Sequence, residues 1–429
     1  MKYAVVTFGC RVNQADSLLV EEGLRSDGAL PANPQDADVV VVNTCSVTAS
    51  ADQAARQTIR RIARTNPSAR IVVTGCYATR RPDEVADLPG VIQVLANDAK
   101  STAVAFIRGL GLPTVHPADL STSERFGEGD GACGAAIEPG MAGRTAFTLR
   151  VQTGCAEPCS YCIIPSTRGR PRSLLVSDVT ADVSRVIDAG FKEIVLTGVH
   201  LGSYGRDLDP PVTLTTLLRA LAAVAARSDV LFRISSLEPM DCTHEVVDIV
   251  SSNGCFAAHF HLPLQHASNR MLAAMRRPYT IDYYRGLVNR IRHLIPNASI
   301  GSDIIVGFPG ETDDDFDQLT SYLDSSPLTH VHVFPYSDRP GTVASGMPGT
   351  VHGAIVRERG RVVREIGLRL ADRFRASQCG TVHRALTVDD GSGVVTGNYL
   401  KLRIPPGRAR NQWVDVRVAS HHDGEVLSG

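Results

Sequence analysis

Three times within its first eighty residues the chain runs through a short apolar, β-branched segment, reaches a cysteine and moves on towards helix-forming text. The segments are YAVVTFGC, DADVVVVNTC and ARIVVTGC, ending at Cys10, Cys45 and Cys76; ADQAARQTIRRIAR follows the second and PDEVADL the third. Unbroken runs of valine and isoleucine read as strands buried on both faces, and their alternation with helices predicts a doubly wound parallel sheet with helices on each side. Ligands of such sheets bind beyond the carboxyl ends of the strands. A cysteine kept for packing would sit inside a strand, whereas these lie just past each one. Thiols placed so converge in space and suit a metal or cluster with one open position.

A second set follows a further strand pattern, FTLRVQTGCAEPCSYCIIPSTRGRPRS, which holds Cys155, Cys159 and Cys162. Beyond it, strand and helix text alternates through EIVLTGVHLG, LLRALAAVAA, VLFRISSLEP, FHLPLQ, ASIGSDIIVGFPGE and LTHVHVFPYS. That repetition predicts an α/β, TIM-like barrel, full or partial, with its chemistry at the strand carboxyl ends. Structural zinc takes four ligands, commonly as paired Cys-x-x-Cys, and no second pair follows here. A cluster of four irons held by three cysteines leaves one iron to take a substrate or cofactor.

Composition narrows the setting. The 429 residues are 43% hydrophobic and 21% charged, with no apolar run long enough to span a bilayer and no signal-peptide pattern at Met1, so a cytoplasmic protein without a membrane partner is expected. Ten cysteines in a reducing compartment favour metal or redox chemistry over disulfides. A net charge of -1 argues against indiscriminate coating of nucleic acid. Lysine occurs only at Lys2, Lys100, Lys192 and Lys401, an arginine bias read as genome composition.

The pattern Cys-x-x-x-Cys-aromatic-x-Cys resembles the signature of radical S-adenosylmethionine (SAM) enzymes. The resemblance implies that the open iron chelates SAM, whose reductive cleavage yields a 5'-deoxyadenosyl radical, and that Tyr161 lies against the adenine. It further implies SAM contacts from Thr197 and Gly198 in LTGVHLGSYG, Ser235 and Glu238 in RISSLEP, Gln265 in LPLQHAS, and Asp303 and Gly307 in GSDIIVGFPGET. No residue is assigned as a catalytic acid or base. With TFGCRVNQADS, NTCSVTASADQAARQ and TGCYATR in front of it, the whole resembles the methylthiotransferases, most of all the branch acting on N6-threonylcarbamoyladenosine in tRNA. That family implies a second 4Fe-4S cluster on Cys10, Cys45 and Cys76 and methylthiolation of adenine C2 next to the anticodon. It also implies a flavodoxin- or ferredoxin-type electron donor and a sulfur donor. His266 and Ala267 stand where the family usually shows a Ser-Gly pair, and GCAEPC lacks its common Asn. The rival readings are a methylthiotransferase for isopentenyladenosine or a ribosomal protein, and a non-catalytic iron-sulfur RNA-binding protein.

The expected organisation is an N-terminal domain at 1–118, a Gly-, Ala- and Ser-rich linker at 119–143, a radical SAM barrel at 144–375 and a small C-terminal β-barrel of the RNA-binding type called TRAM at 376–429. In the last, Tyr399 is expected to stack a base and Lys401, Arg403, Arg408 and Arg410 to meet phosphates. Trp413 is expected in the core. Cys133, Cys242, Cys255 and Cys379 are read as structural or incidental, and His200, His259, His261 and His266 as core or surface histidines rather than a metal site.

Overall fold

In the computed structural model, which describes residues 1–112, 139 and 144–428, the valine-rich runs are strands. β1 (Lys2–Thr7), β2 (Leu30–Pro31), β3 (Val39–Thr44), β4 (Arg70–Gly75) and β5 (Val91–Leu95) form one parallel sheet in the order β2-β1-β3-β4-β5. All six residues of β3 are buried, which is why its text does not alternate. Val40 and Val42 join Ile59 and Ile62 of helix Ala49–Thr65 in one core. Val39 and Val41 join Val20 and Leu24 of helix Arg11–Ser26 in another, so helices cover both faces. The expected linker 119–143 lies outside the described residues except for residue 139, and Cys133 lies outside them as well.

The alternation after residue 144 is a partial barrel. β6 (Phe147–Thr153), β8 (Glu193–Gly198) and β9 (Leu231–Ile234) pair in parallel, and β7 (Arg172–Ser173) adds an antiparallel edge to β6. β10 (His259–His261), β11 (Ser299–Val306) and β12 (His330–Pro335) form a second parallel sheet, joined to β9 by the bridges Phe232–Phe256 and Ser236–His261. Among the described residues no ladder returns β12 to β6, so the barrel stays open. Several βα loops end in a hydroxyl N-cap: Thr213, Thr243, Ser268 and Thr312 each accept from a backbone N–H in the following first turn, and Thr312 closes a capping box with Asp315. Those caps fix where each helix starts and so where each strand-end loop must turn.

Helix Gly353–Gln378 leads to β13 (Val382–Val388), β14 (Gly393–Thr396), β15 (Lys401–Arg403), β16 (Trp413–Val418) and β17 (Gly424–Ser428), an antiparallel sheet in the order β15-β14-β13-β16-β17. The bridge Arg403–Asp423 brings β15 to the start of β17, so the sheet curls into a half-barrel around Ala385, Leu402, Val414 and Val416. The chain divides into two compact units, one drawn from Met1–Ile137, Gly154–Ala156 and Cys162–Arg170, the other from Glu138–Thr153, Glu157–Tyr161 and Pro171–Gly429.

Candidate metal centres

In the first unit, Cys10 follows β1 at the N-cap of helix Arg11–Ser26, Cys45 follows β3, and Cys76 opens helix Cys76–Arg80 after β4. The strand order reverses between β1 and β3, so Cys10 and Cys45 flank the topological switch point, where such sheets bind ligands. Burial pushes the Cys45 thiol up to about 11, and the charges of Cys10 and Cys76 add to the rise, so the three sulfurs are close enough to feel one another. A protonated, buried thiol is a poor nucleophile, and ligation is what deprotonates it. Gly9 keeps the space beside them open. Its φ is +86°, and a Cβ there would stand 2.6 Å from Cys45 Sγ. All three thiols are free of disulfides, and the donor set fits an iron-sulfur cluster with one iron left over.

A buried polar group backs this trio. Lys100 Nζ donates to Asp16 at 2.7 Å and to Asn43 Oδ1 at 3.1 Å, while Arg168 reaches Asp16 at 3.4 Å and donates to Asn13 Oδ1. Arg168 also interacts with Cys76 and Cys10. Two cations against one carboxylate leave positive charge beside three thiols, which favours their thiolate forms. Sequence reading gave Lys100 no role. Its one available signal was that a lysine stands where the chain otherwise uses arginine.

The second cysteine set sits in the loop after β6. Gly154 has φ +77°, and a Cβ there would collide with the Arg170 carbonyl, so only glycine turns the chain here. Cys155 N donates to Gly169 O at 3.0 Å, and Cys162 Sγ accepts from Ile164 N at 3.5 Å. Cys155 and Cys162 belong to the first unit and Cys159 to the second. Within the second unit, buried Arg277 donates from Nη1 to Cys159 Sγ at 3.2 Å, from Nε to Tyr279 OH at 3.0 Å, and from Nη2 to the Glu238 carboxylate. Burial opposes the Arg277 charge, but Glu238 holds it raised. Sequence reading missed Arg277, whose partners lie 118 and 39 residues away.

The residues expected to meet SAM all belong to the second unit. Thr197 and Gly198 end β8, with Thr197 Oγ1 accepting from Ser235 Oγ at 3.3 Å; Ser235 and Glu238 follow β9, Gln265 follows β10, and Gly307 follows β11. They therefore occupy the carboxyl ends of successive barrel strands. Gln265 has φ +70° and bridges to Ile304 through its backbone, and Gly307 has φ +78° with Val356 packed where a Cβ would stand. Tyr161 packs with Met271, Met275, Ile305 and Phe308. Asp303 differs, lying inside β11, where His261 Nε2 and His332 Nδ1 approach its Oδ1 at 3.0 and 3.2 Å. Burial would raise the Asp303 pKa, but those two imidazoles pull it well below the carboxylate range.

His200 lies 2.8 Å from Asp241 through Nε2, and the ring of fully buried His266 accepts from Ser268 N at 3.0 Å, as expected of structural histidines. His261 is different, because the fold brings it to Asp303 and His332. In the C-terminal sheet, Lys401 and Arg403 are exposed, Arg403 pairs with Asp423, and Arg410 Nε donates to Asp389 O. The Tyr399 ring lies 4.8 Å from the Arg233 guanidinium and 4.9 Å from the His259 ring. Trp413, expected in the core, is instead half-buried: its Nε1 donates to Asp229 O at 3.1 Å and Arg384 covers its ring at 4.3 Å. Isolated tryptophans often hold the rim of a packed layer because the indole N–H needs a partner.

Residues 2–97 match the model of uncharacterized protein family UPF0004, and residues 149–323 match that of the radical SAM superfamily. The chain is 36% identical to the threonylcarbamoyladenosine tRNA methylthiotransferase MtaB of Aquifex aeolicus over 94% of its own length and 96% of that protein. The family follows from that match. This chain belongs to the radical SAM methylthiotransferases. It is 33% identical to the MtaB of Thermotoga maritima, over 99% of this chain and 94% of that one. To the tRNA-2-methylthio-N(6)-dimethylallyladenosine synthase of Paenarthrobacter aurescens it is 31% identical, over 96% and 78%. Among solved structures, the radical SAM methyltransferase TsrM of Kitasatospora setae shares the fold at a TM-score of 0.56 and 14% identity, over 80% of this chain and 77% of that one. As a member of its family, this methylthiotransferase is an enzyme that uses SAM and a 4Fe-4S cluster. No helix of the described residues is long and apolar enough to cross a membrane.

Proposed function

We propose that this methylthiotransferase acts in the cytoplasm on tRNA, inserting a methylthio group at C2 of N6-threonylcarbamoyladenosine beside the anticodon. The observation that carries the reading is the gathering of Cys10, Cys45 and Cys76 at three adjacent parallel strand ends, in a chain that also holds the radical SAM cysteines. In this reading Cys155, Cys159 and Cys162 hold the cluster that binds SAM, and the first trio holds a second 4Fe-4S cluster. When bound, these groups supply a carbon-centred radical and the sulfur to be transferred, chemistry that no side chain provides at an unactivated aromatic C–H.

The chain's own residues hold and orient. Arg277 fixes Cys159 and Glu238 together, so the thiolate and the carboxylate expected beside SAM share one buried cation. Lys100 and Arg168 offset the charge of the first trio. Tyr161, Thr197, Gly198, Ser235, Gln265 and Gly307 line the SAM side in this reading, whereas Asp303, engaged by His261 and His332, does not; Lys401, Arg403, Arg408 and Arg410, with Tyr399, form the tRNA face of the half-barrel. A flavodoxin- or ferredoxin-type reductant and a sulfur donor complete the reaction. The substrate preference rests on the MtaB relatives, which are named for that nucleoside.

Incubating the reduced, reconstituted enzyme with SAM, a sulfur source and tRNA unmodified at C2, followed by nucleoside mass spectrometry, tests the proposal. The expected product is the 2-methylthio form of threonylcarbamoyladenosine. Methylthiolation of isopentenyladenosine instead would move the enzyme to its sister branch. Absence of 5'-deoxyadenosine would exclude radical catalysis altogether.

A further inference from the structure

Within the second unit, the barrel strands bring together a set of metal-type donors that neither cysteine trio uses. His261 ends β10, Asp303 lies inside β11, and His332 is the third residue of β12. The register explains the meeting: His261 pairs with Gly301, and Asp303, two residues further along the same face, pairs with His332. Gly301 is essential to it. A Cβ there would run into the His330 ring and the His261 ring, so a side chain would push the imidazoles apart.

We infer that His261 Nε2, Asp303 Oδ1 and His332 Nδ1 form a binding site for one divalent transition-metal ion of borderline softness, such as Zn²⁺, separate from the iron-sulfur clusters. The three donor atoms lie within 4.8 Å of one another. Two of the edges, 3.0 and 3.2 Å, already equal the separations of neighbouring ligands around a small cation: donors about 2.1 Å from a metal and about 90 to 110° apart stand about 3.0 to 3.4 Å from each other. Two imidazoles and one carboxylate on one side of the ion make a donor set that leaves further positions open. The open side faces solvent, since the His332 side chain is 59% exposed while that of His261 is 11% exposed. An ion can therefore enter from the His332 side and keep water or an anionic oxygen of a ligand as its remaining donor.

The site belongs to β10, β11 and β12 of the open barrel and does not depend on which nucleoside the enzyme modifies. The test is to load the anaerobically reconstituted enzyme with Zn²⁺, pass it through a desalting column, and measure zinc and iron together. One zinc per chain is expected above the clusters' iron, falling at least tenfold in His332→Ala at unchanged iron content. Zinc K-edge absorption of the loaded wild type gives a second readout that needs no variant. An imidazole-containing shell of nitrogen and oxygen supports the site. A sulfur shell, failure to retain zinc, or equal zinc in His332→Ala would overturn it.

Discussion

If Cys10, Cys45 and Cys76 hold the proposed second cluster, Gly9→Ala, which adds one methyl group, should remove it. The new Cβ would stand 2.5 Å from Cys45 Cβ and 2.6 Å from Cys45 Sγ, against an ordinary separation of about 3.5 to 4.0 Å between such atoms. One side has to retreat by about 1 Å. Cys45 cannot do so cheaply, because it is 5% exposed and follows directly from β3, which is paired on both sides. A backbone at φ +86° also costs alanine about 1 to 2 kcal/mol, and overpacking adds about 1 to 3 kcal/mol, for about 2 to 5 kcal/mol together. Ligand distances in a metal centre tolerate only about 0.2 Å, so a shift of this size removes the Cys45 ligand from reach. Iron in the reconstituted protein should drop from about eight to about four atoms per chain, with SAM cleavage retained. Gly111→Ala is the control: its φ is +64°, yet nothing lies within 4 Å of the added Cβ, so it imposes backbone strain without the clash. Full iron in Gly9→Ala, or equal loss in both variants, would show that the clash with Cys45 does not govern cluster binding.

Three further outcomes follow from other contacts. Arg277→Gln removes charged hydrogen bonds to Cys159 and Glu238, each worth about 1.5 to 3 kcal/mol, and should slow SAM cleavage by about 10- to 100-fold while shifting the reduction potential of a cluster that still assembles; both are read by 5'-deoxyadenosine formation and by redox titration. Arg233→Met strands buried Glu193 and frees the carbonyls of Thr396 and Gly397, and should cost about 3 to 5 kcal/mol in urea unfolding of the second unit, much of it recovered when Glu193→Leu is added. Burial lowers the His383 pKa below its ordinary 6.5. The unfolded chain therefore binds more protons below that value, stability is lost as pH falls through it, and His383→Gln should flatten this part of a pH series of urea midpoints.

The N-terminal sheet was legible because strands buried on both faces write themselves as unbroken valine runs, and the cysteines mark where each run stops. Its order was not. That β1 lies between β2 and β3, and so makes the switch point beside Cys10 and Cys45, is a matter of which strand pairs with which. The strand-end positions of Thr197, Ser235, Gln265 and Gly307 were legible one at a time, since each follows an apolar run. Side chains whose roles come from distant partners left no such trace. Arg277 looks like any arginine until Cys159 and Glu238 are beside it, and Lys100 until Asp16 is. The neighbours of His261 left no trace either: Asp303 and His332 lie 42 and 71 residues further on, and only the register of β10, β11 and β12 joins them. Trp413 was misread because a lone tryptophan suggests a core, while the fold gives its N–H a carbonyl at the edge of the half-barrel.

The proposed function puts two iron-sulfur clusters, held by separate cysteine trios, at the centre of the chemistry, and counting iron tests for them without any assumption about substrate. Anaerobically reconstituted wild type should hold about eight irons per chain, and replacing either Cys10, Cys45 and Cys76 or Cys155, Cys159 and Cys162 with alanine should leave about four, with SAM cleavage lost only in the second case. About four irons in the wild type, unchanged when the first trio is removed, would mean that the strand-end cysteines hold no cluster.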